Sequence, residues 1–141
     1  MKLLSIASET SPDRATIAAI GDGPDGYNEQ FAPNVSFDPN WVVGQDADGT
    51  VQAGTRYLLL SDWMFVDWPW VAASYRRVGV GSQPLEQAEA RARDGSCTKV
   101  YLDTFSFQAP AFYARHGYRE FARLPGFPCG DHERIWLWKT L

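Results

Sequence analysis

Cysteine and histidine are scarce in this sequence, two of each among 141 residues. Cys97 and Cys129 stand alone, with no Cys-x-x-Cys pair and no metal-ligand spacing, so neither a disulfide framework nor a metal site is expected. The expectation is two free thiols in a reducing cytoplasm. No stretch reaches the ~18 apolar residues of a membrane span. The richest, Leu58 to Val71, is broken by Ser61, Asp62, Asp67 and Pro69. The apolar run at the N-terminus is too short for a signal peptide, because Glu9, Asp13 and Arg14 soon follow. A basic excess is also missing. The net charge is −4, which excludes a broad electrostatic surface for nucleic acid. Two phosphate-binding patterns are absent as well. There is no Gly-x-x-x-x-Gly-Lys-[Ser/Thr] loop and no Gly-x-Gly-x-x-Gly after an N-terminal strand, which argues against P-loop and Rossmann sites.

What is present fits one globular domain over residues 1–141. Apolar residues make up 45% and aromatic residues 14%, with six tryptophans, so much of the packing should be aromatic. Ser11-Pro12-Asp13 predicts a helix start with Ser11 as N-cap, running to about Ile20 and ending at Gly21. Asp22 to Asn40 reads as a long irregular segment with one helical turn near Tyr27–Gln30, long enough to serve a substrate. Trp41–Gly44, Thr50–Leu60 and Trp63–Ala72 then read as consecutive strands, most simply an antiparallel meander. From Gly81 to about Asp94, Leu85, Ala88 and Ala92 recur at helical spacing, with Glu86, Glu89, Arg91 and Arg93 assigned to other faces. Thr98–Asp103 alternates as a strand, Gln108–His116 is helical and closed by Gly117, and Tyr118–Leu124 and Arg134–Leu141 are strands. The result is a mixed α/β domain without repeats or a linker.

The informative junction is Trp70 to Ser82. A strand runs into the basic, glycine-spaced turn Arg76-Arg77-Val78-Gly79-Val80-Gly81, which opens a helix. Gly79 and Gly81 remove side chains where backbone must approach a ligand. A helix start offers unpaired N–H groups and a positive dipole end, and the two arginines add fixed cationic charge. That combination suits a diphosphate. A solvated surface turn is the bland alternative for these six residues alone.

Arg76-x-x-Gly79-x-Gly81 between strand and helix resembles the acetyl-CoA signature of the GNAT superfamily of N-acetyltransferases, and the order of elements matches the whole domain. Downstream, Phe112-Tyr113-x-x-x-Gly117-Tyr118 is similar to one of the family's most recognisable pieces. Leu102 to Ala109, the pair Tyr27-Asn28 and the ending Lys139-Thr140-Leu141 resemble a branch of small bacterial members. The likeness covers nearly the full chain and is most specific from Trp63 to Gly117. One departure is Pro84, where the family carries an apolar residue. A proline is tolerated there only if the helix starts near Gly81 or Ser82.

The resemblance implies a mostly antiparallel central sheet with flanking helices and a splayed strand pair that holds the cofactor. It implies acyl transfer from acetyl-CoA, or another short acyl-CoA, to an amine of a small molecule or peptide. Tyr113 matches the general acid for the departing thiolate, with Phe112 assigned to the core. Backbone groups of Trp70, Val71 and Ala72 would hold the pantetheine arm, and the Val71 or Ala72 amide would polarise the thioester carbonyl. Arg76, Arg77, Val78, Gly79, Val80, Gly81 and Ser82 would cradle the diphosphate. Ser106 stands where many relatives carry a cofactor-contacting asparagine. Asp67 is the candidate base, Asp103 a second one, and each has an ordinary structural alternative. His116 and His132 are read as structural, with His132 a possible border of the acceptor pocket. The segment Asp22–Asn40 and the loop Pro125–Glu133 would frame the acceptor. A homodimer in the cytoplasm is implied as well. The alternative is a non-catalytic acyl-CoA-binding or sensing domain of the same fold, and a purely structural dimerisation module is a third reading.

Overall fold

Helix α1 spans Arg14–Asn28 in the computed structural model, which describes residues 4–33 and 35–141. Its N-cap is Asp13 rather than Ser11: the Asp13 carboxylate accepts from the Thr16 amide at 2.7 Å, the usual role of a short acidic side chain there. The helix also continues past Gly21, Gly23, Pro24 and Gly26. Gly21 does not adopt the left-handed conformation that a glycine C-cap needs, so it is no stop. The helical turn expected near Tyr27–Gln30 is the end of this longer helix. Val35 closes one compact unit of the chain and Ser36–Leu141 forms the other.

The second unit carries a six-stranded sheet in the order β1-β2-β3-β4-β6-β5. Its strands are β1 (Asn40–Gln45), β2 (Val51–Leu60), β3 (Trp63–Val71), β4 (Lys99–Phe105), β5 (Arg119–Pro125) and β6 (Glu133–Thr140). The first three strands form the expected antiparallel meander. The Asp46 carboxylate closes the first turn by accepting from the amides of Asp48 and Thr50. Helix α2 (Ser82–Asp94) crosses over so that β3 and β4 pair in parallel, and a short helix α3 (Pro110–Arg115) leads into β5.

Period-two alternation decides which strand residues are buried. Tyr57, Met64, Val66, Val100, Leu102, Ile135 and Leu137 face one side, where Leu85, Ala88 and Ala92 of α2 cover them. Glu89 shares that buried face, contrary to its assigned place on another one: it lies four residues after Leu85, on the same helical stripe. Pro84 is the third residue of α2, inside the first turn, where its missing N–H has no helical partner to lose. It is buried, and α2 runs unbroken from Ser82 to Asp94.

The parallel pairing of β3 with β4 runs only from Trp63↔Lys99 to Val66↔Leu102. Beyond it β3 continues on β2 as far as Val71, while β4 continues on β6 as far as Phe105. The two strands therefore part after four paired positions and leave a gap between them. Register shifts between Gly54 and Arg56 opposite this stretch, and Trp68 takes a positive φ of 49°. The splay begins where the strand bulges. None of the described helices is long and apolar enough to cross a membrane.

Candidate functional site

The loop at the end of β3 offers a row of free donors. After a single 3-10 turn at Ala73–Tyr75, the chain passes through Arg77 at φ 64° and Gly79 at φ 82° before Gly81 caps α2. The amides of Arg77, Val78, Gly79, Val80, Gly81 and Ser82 donate to no group among the described residues. Six consecutive unpaired N–H groups at a helix N-terminus suit an anion. Arg76 is partly committed: its Nε donates to the Val71 carbonyl at 2.9 Å and pins the loop to the strand. Arg77 is exposed and among the described residues forms no ion pair. A Cβ built on Gly81 meets only Phe112 Cε2 at 3.9 Å and Val71 Cγ2 at 4.0 Å. Glycine there is not demanded by the protein's own packing; it leaves open the space in front of the loop.

At the end of β3 the two candidate amides separate. Ala72 N donates to the Gln52 carbonyl of the preceding chain at 2.8 Å. Amides of successive strand residues point to opposite sides, so the Val71 N–H is turned from β2 toward the gap. Of the two, Val71 has the free donor.

Tyr113 is 5% exposed and belongs to the core cluster, whereas Phe112 is only partly buried at its margin. The assignment of Phe112 rather than Tyr113 to the core is thus reversed. The Tyr113 hydroxyl forms no hydrogen bond among the described residues, while the neighbouring Tyr118 hydroxyl donates to Glu89 at 2.8 Å. Burial first, and the Asp103 carboxylate second, push the Tyr113 pKa up to about 12. It stays a proton donor at any physiological pH. Burial and Glu89 also drive Tyr118 far upward. Both groups titrate higher in the folded chain than in the unfolded one. Their contribution is complete below the unfolded value of ~10 and is lost as pH rises from there through the folded value. The rise at Tyr113 from 10 to about 12 amounts to about 3 kcal/mol. Denaturant midpoints followed by circular dichroism should fall between pH 10 and 12, and should fall less in Tyr113→Phe than in the native chain.

Both acidic candidates are held by arginine. Asp67 is the first β3 residue beyond the β4 pairing. It forms an ion pair with Arg56 and accepts the Trp68 amide at 2.9 Å, so both its oxygens are engaged. Asp103 accepts from Arg134 Nε at 2.8 Å. That hydrogen bond, with a weaker contribution from Asp67, raises the Arg134 pKa. Arg56 lies 4.3 Å over the Trp68 ring, and its Nε is buried without a partner. Ser106 is tied to β6, its hydroxyl accepting from the Glu133 amide at 3.0 Å and its own amide donating to the Glu133 carbonyl. His132 stands edge-on to Phe107, and His116 Nδ1 lies 2.8 Å from the Phe112 carbonyl.

Phe112 brings loop and helix together. Its ring faces the Gly81 position and lies 5.2 Å, edge-on, from the Tyr113 ring. The donor row and Phe112, which abuts the Tyr113 ring, thus lie beside the end of β3 where it parts from β4. Arg56, Glu89 and Lys139 escaped the sequence reading as parts of this neighbourhood. For Glu89 the signal existed, a carboxylate on an apolar helical stripe. For Arg56 and Lys139 none did, because their partners lie 11 residues or more away in the chain.

The sequence pattern of the acetyltransferase (GNAT) family matches residues 8–118. A blasticidin-S acetyltransferase from Streptomyces morookaense is 46% identical over 69 residues, 48% of this chain and 51% of that protein. The match thus spans about half the length of that curated relative. A crystal structure of an acetyltransferase from Bacillus cereus superposes with a TM-score of 0.84 at 29% identity, covering 96% of this chain and 98% of that one. An aminoglycoside 6'-N-acetyltransferase complexed with coenzyme A shares the fold at a TM-score of 0.66 and 14% identity, covering 89% and 87%.

Proposed function

The chain belongs to the acetyltransferase (GNAT) family, and from that premise we propose that it transfers an acetyl or other short acyl group from acyl-CoA to an amine. The observation that carries this is the row of unpaired amides, residues 77–82 with Val71, beside the point where β3 parts from β4. Phe112 packs at that loop, and Tyr113, whose hydroxyl is unpaired among the described residues, abuts it. Acetyl-CoA supplies a diphosphate, an amide-bearing arm and an activated carbonyl, and the residues fit each. The amides of residues 77–82, with Arg76 and Arg77, hold the diphosphate. The edge of β3 from Trp70 to Ala72 receives the arm, and the Val71 N–H stabilises charge developing on the carbonyl oxygen. Ser106 borders the gap from β4.

Transfer requires a nitrogen lone pair to form the new C–N bond while the C–S bond breaks. Tyr113 donates its proton to the leaving sulfur. Asp67 is the base of this reading, receiving the amine's proton through water once it gives up its contact to Arg56 or to the Trp68 amide. The likeness to a blasticidin-S acetyltransferase favours a small-molecule amine over a peptide as acceptor. We further propose that the 141 residues act as one acyltransferase domain in the cytoplasm, where two unpaired thiols are at home. A homodimer is part of the same reading, with the half-buried aromatics Trp63, Tyr101 and Trp138 as its contact.

The test is thiol release from acetyl-CoA across a panel of small amines that includes blasticidin S. Saturable, amine-dependent release is the expected result. Tight acetyl-CoA binding with no release on any amine would transfer the assignment to an acyl-CoA-binding domain. Absence of binding to any CoA species would remove both.

A further inference from the structure

Helix α3 is six residues long, too short to orient a side chain by its own stability. The Tyr113 hydroxyl has no partner among the described residues, so its direction comes entirely from what surrounds the ring and backbone. Two things do. The Tyr113 carbonyl accepts from the amides of His116 at 3.0 Å and Tyr118 at 3.1 Å, which folds the chain back beneath it. The Tyr113 ring then meets the Tyr118 ring edge-on, centroids 5.9 Å apart.

Tyr118 is in turn fixed by charge. Its hydroxyl donates to Glu89 Oε1 at 2.8 Å, and Lys139 Nζ lies 2.7 Å from the same oxygen. Lys139 also donates to the His116 carbonyl at 2.9 Å, at the C-terminus of α3, and its ammonium stands 4.8 Å over the Tyr118 ring. A cation at the last carbonyls of a helix satisfies both their hydrogen bonding and the dipole. Arg93 approaches Glu89 from the solvent side at 3.7 Å. One buried ammonium thus joins α2, β6 and the end of α3. The side chains of Glu89 and Lys139 are only 6% and 16% exposed. Buried ion pairs contribute little net stability over apolar residues of similar size, so stability alone is a weak reason for this one.

We propose that Lys139, with Glu89 and Tyr118, is a positioning clamp that holds Tyr113 in the orientation needed for acyl transfer, an inference that rests on the acid role given to Tyr113 above. Lys139 and its partners do not touch the reacting atoms; they act through the ring of Tyr118 and the end of α3. The ending Lys139-Thr140-Leu141 acquires a physical role in this way. Its lysine closes the clamp, and the amide of Leu141 donates to the Thr98 carbonyl and anchors the strand end.

Removing one charge would strand the other in the core and could unfold the chain. The variant of choice is therefore Glu89→Gln/Lys139→Met, which removes both. Acetyl-CoA affinity and KM should stay within twofold of the native values while kcat falls at least tenfold. Tyr118→Phe keeps the ion pair, loses one hydroxyl and should lower kcat about threefold; it carries the test if the double variant does not fold. In a Tyr113→Phe background the double change should lower kcat by less than twofold, because its effect runs through that residue. A further full tenfold loss there would show that the clamp acts independently of Tyr113 and overturn the proposal. So would a double variant with native kcat beside a Tyr113→Phe that is impaired, leaving the acid role standing. A fully active Tyr113→Phe would remove both together.

Discussion

Gly81→Glu abolishes acetyl-CoA binding and leaves the fold intact: that is the outcome expected from the loop after β3. The protein side of the argument is the space around Gly81. A Cβ there meets Phe112 and Val71 only at ordinary contact distances, and the backbone has a φ of −62°, which any residue adopts. The ligand side is charge and volume. A carboxylate ~4 Å from one phosphate charge costs about 4 kcal/mol at an effective dielectric of 20, which is roughly a thousandfold in affinity. Calorimetric titration should therefore show no acetyl-CoA binding at concentrations that saturate the native protein. The melting temperature without ligand should be unchanged, and Gly81→Ala should melt with it. Thermal stabilisation by acetyl-CoA that survives in Gly81→Glu would place the diphosphate elsewhere.

Tyr113→Phe should lower kcat by about a hundredfold or more while acetyl-CoA affinity stays within about threefold. The hydroxyl makes no hydrogen bond among the described residues, so its removal leaves no buried partner unsatisfied. Denaturant midpoints should match those of the native chain, and any loss of turnover then belongs to chemistry rather than folding. The raised pKa of about 12 sets the pH signature. A group that loses its proton only near that value causes no fall in kcat below about pH 10, whereas a rise in kcat between pH 7 and 9 reports the acceptor amine losing its proton. Equal losses in kcat and affinity would make Tyr113 a binding residue instead of an acid.

Much of this architecture could be read locally. Alternation along β4 and β6 sets Val100 and Leu102, and Ile135 and Leu137, on one face each, because a period of two is set by the backbone itself, and that face is the buried one. The glycine-spaced loop between a strand and a helix was legible as a turn that leads into α2, and Pro84 falls within the first turn of that helix. Local reading failed where a residue's partner is distant. Ser11-Pro12 reads in sequence as cap and first helical residue, and only backbone geometry moved the cap to Asp13. Gly21 reads in sequence as a stop, yet a glycine C-cap of this kind needs the chain to turn left-handed, and here it does not.

The sequence by itself determined the family-like order of elements and the basic, glycine-spaced loop from Arg76 to Ser82 between a strand and a helix, since each depends on neighbours within a few residues. Tertiary structure alone decided which of Val71 and Ala72 has a free amide, because that depends on where β2 lies. It decided that Asp67 and Asp103 are each bound to an arginine from another strand. It also decided that Tyr113, not Phe112, is the buried ring, and that Glu89 and Lys139 meet beneath it across half a hundred residues of chain. Hydrogen bonds and ion pairs act over a few ångströms, and the chain must fold before residues so far apart can come that close.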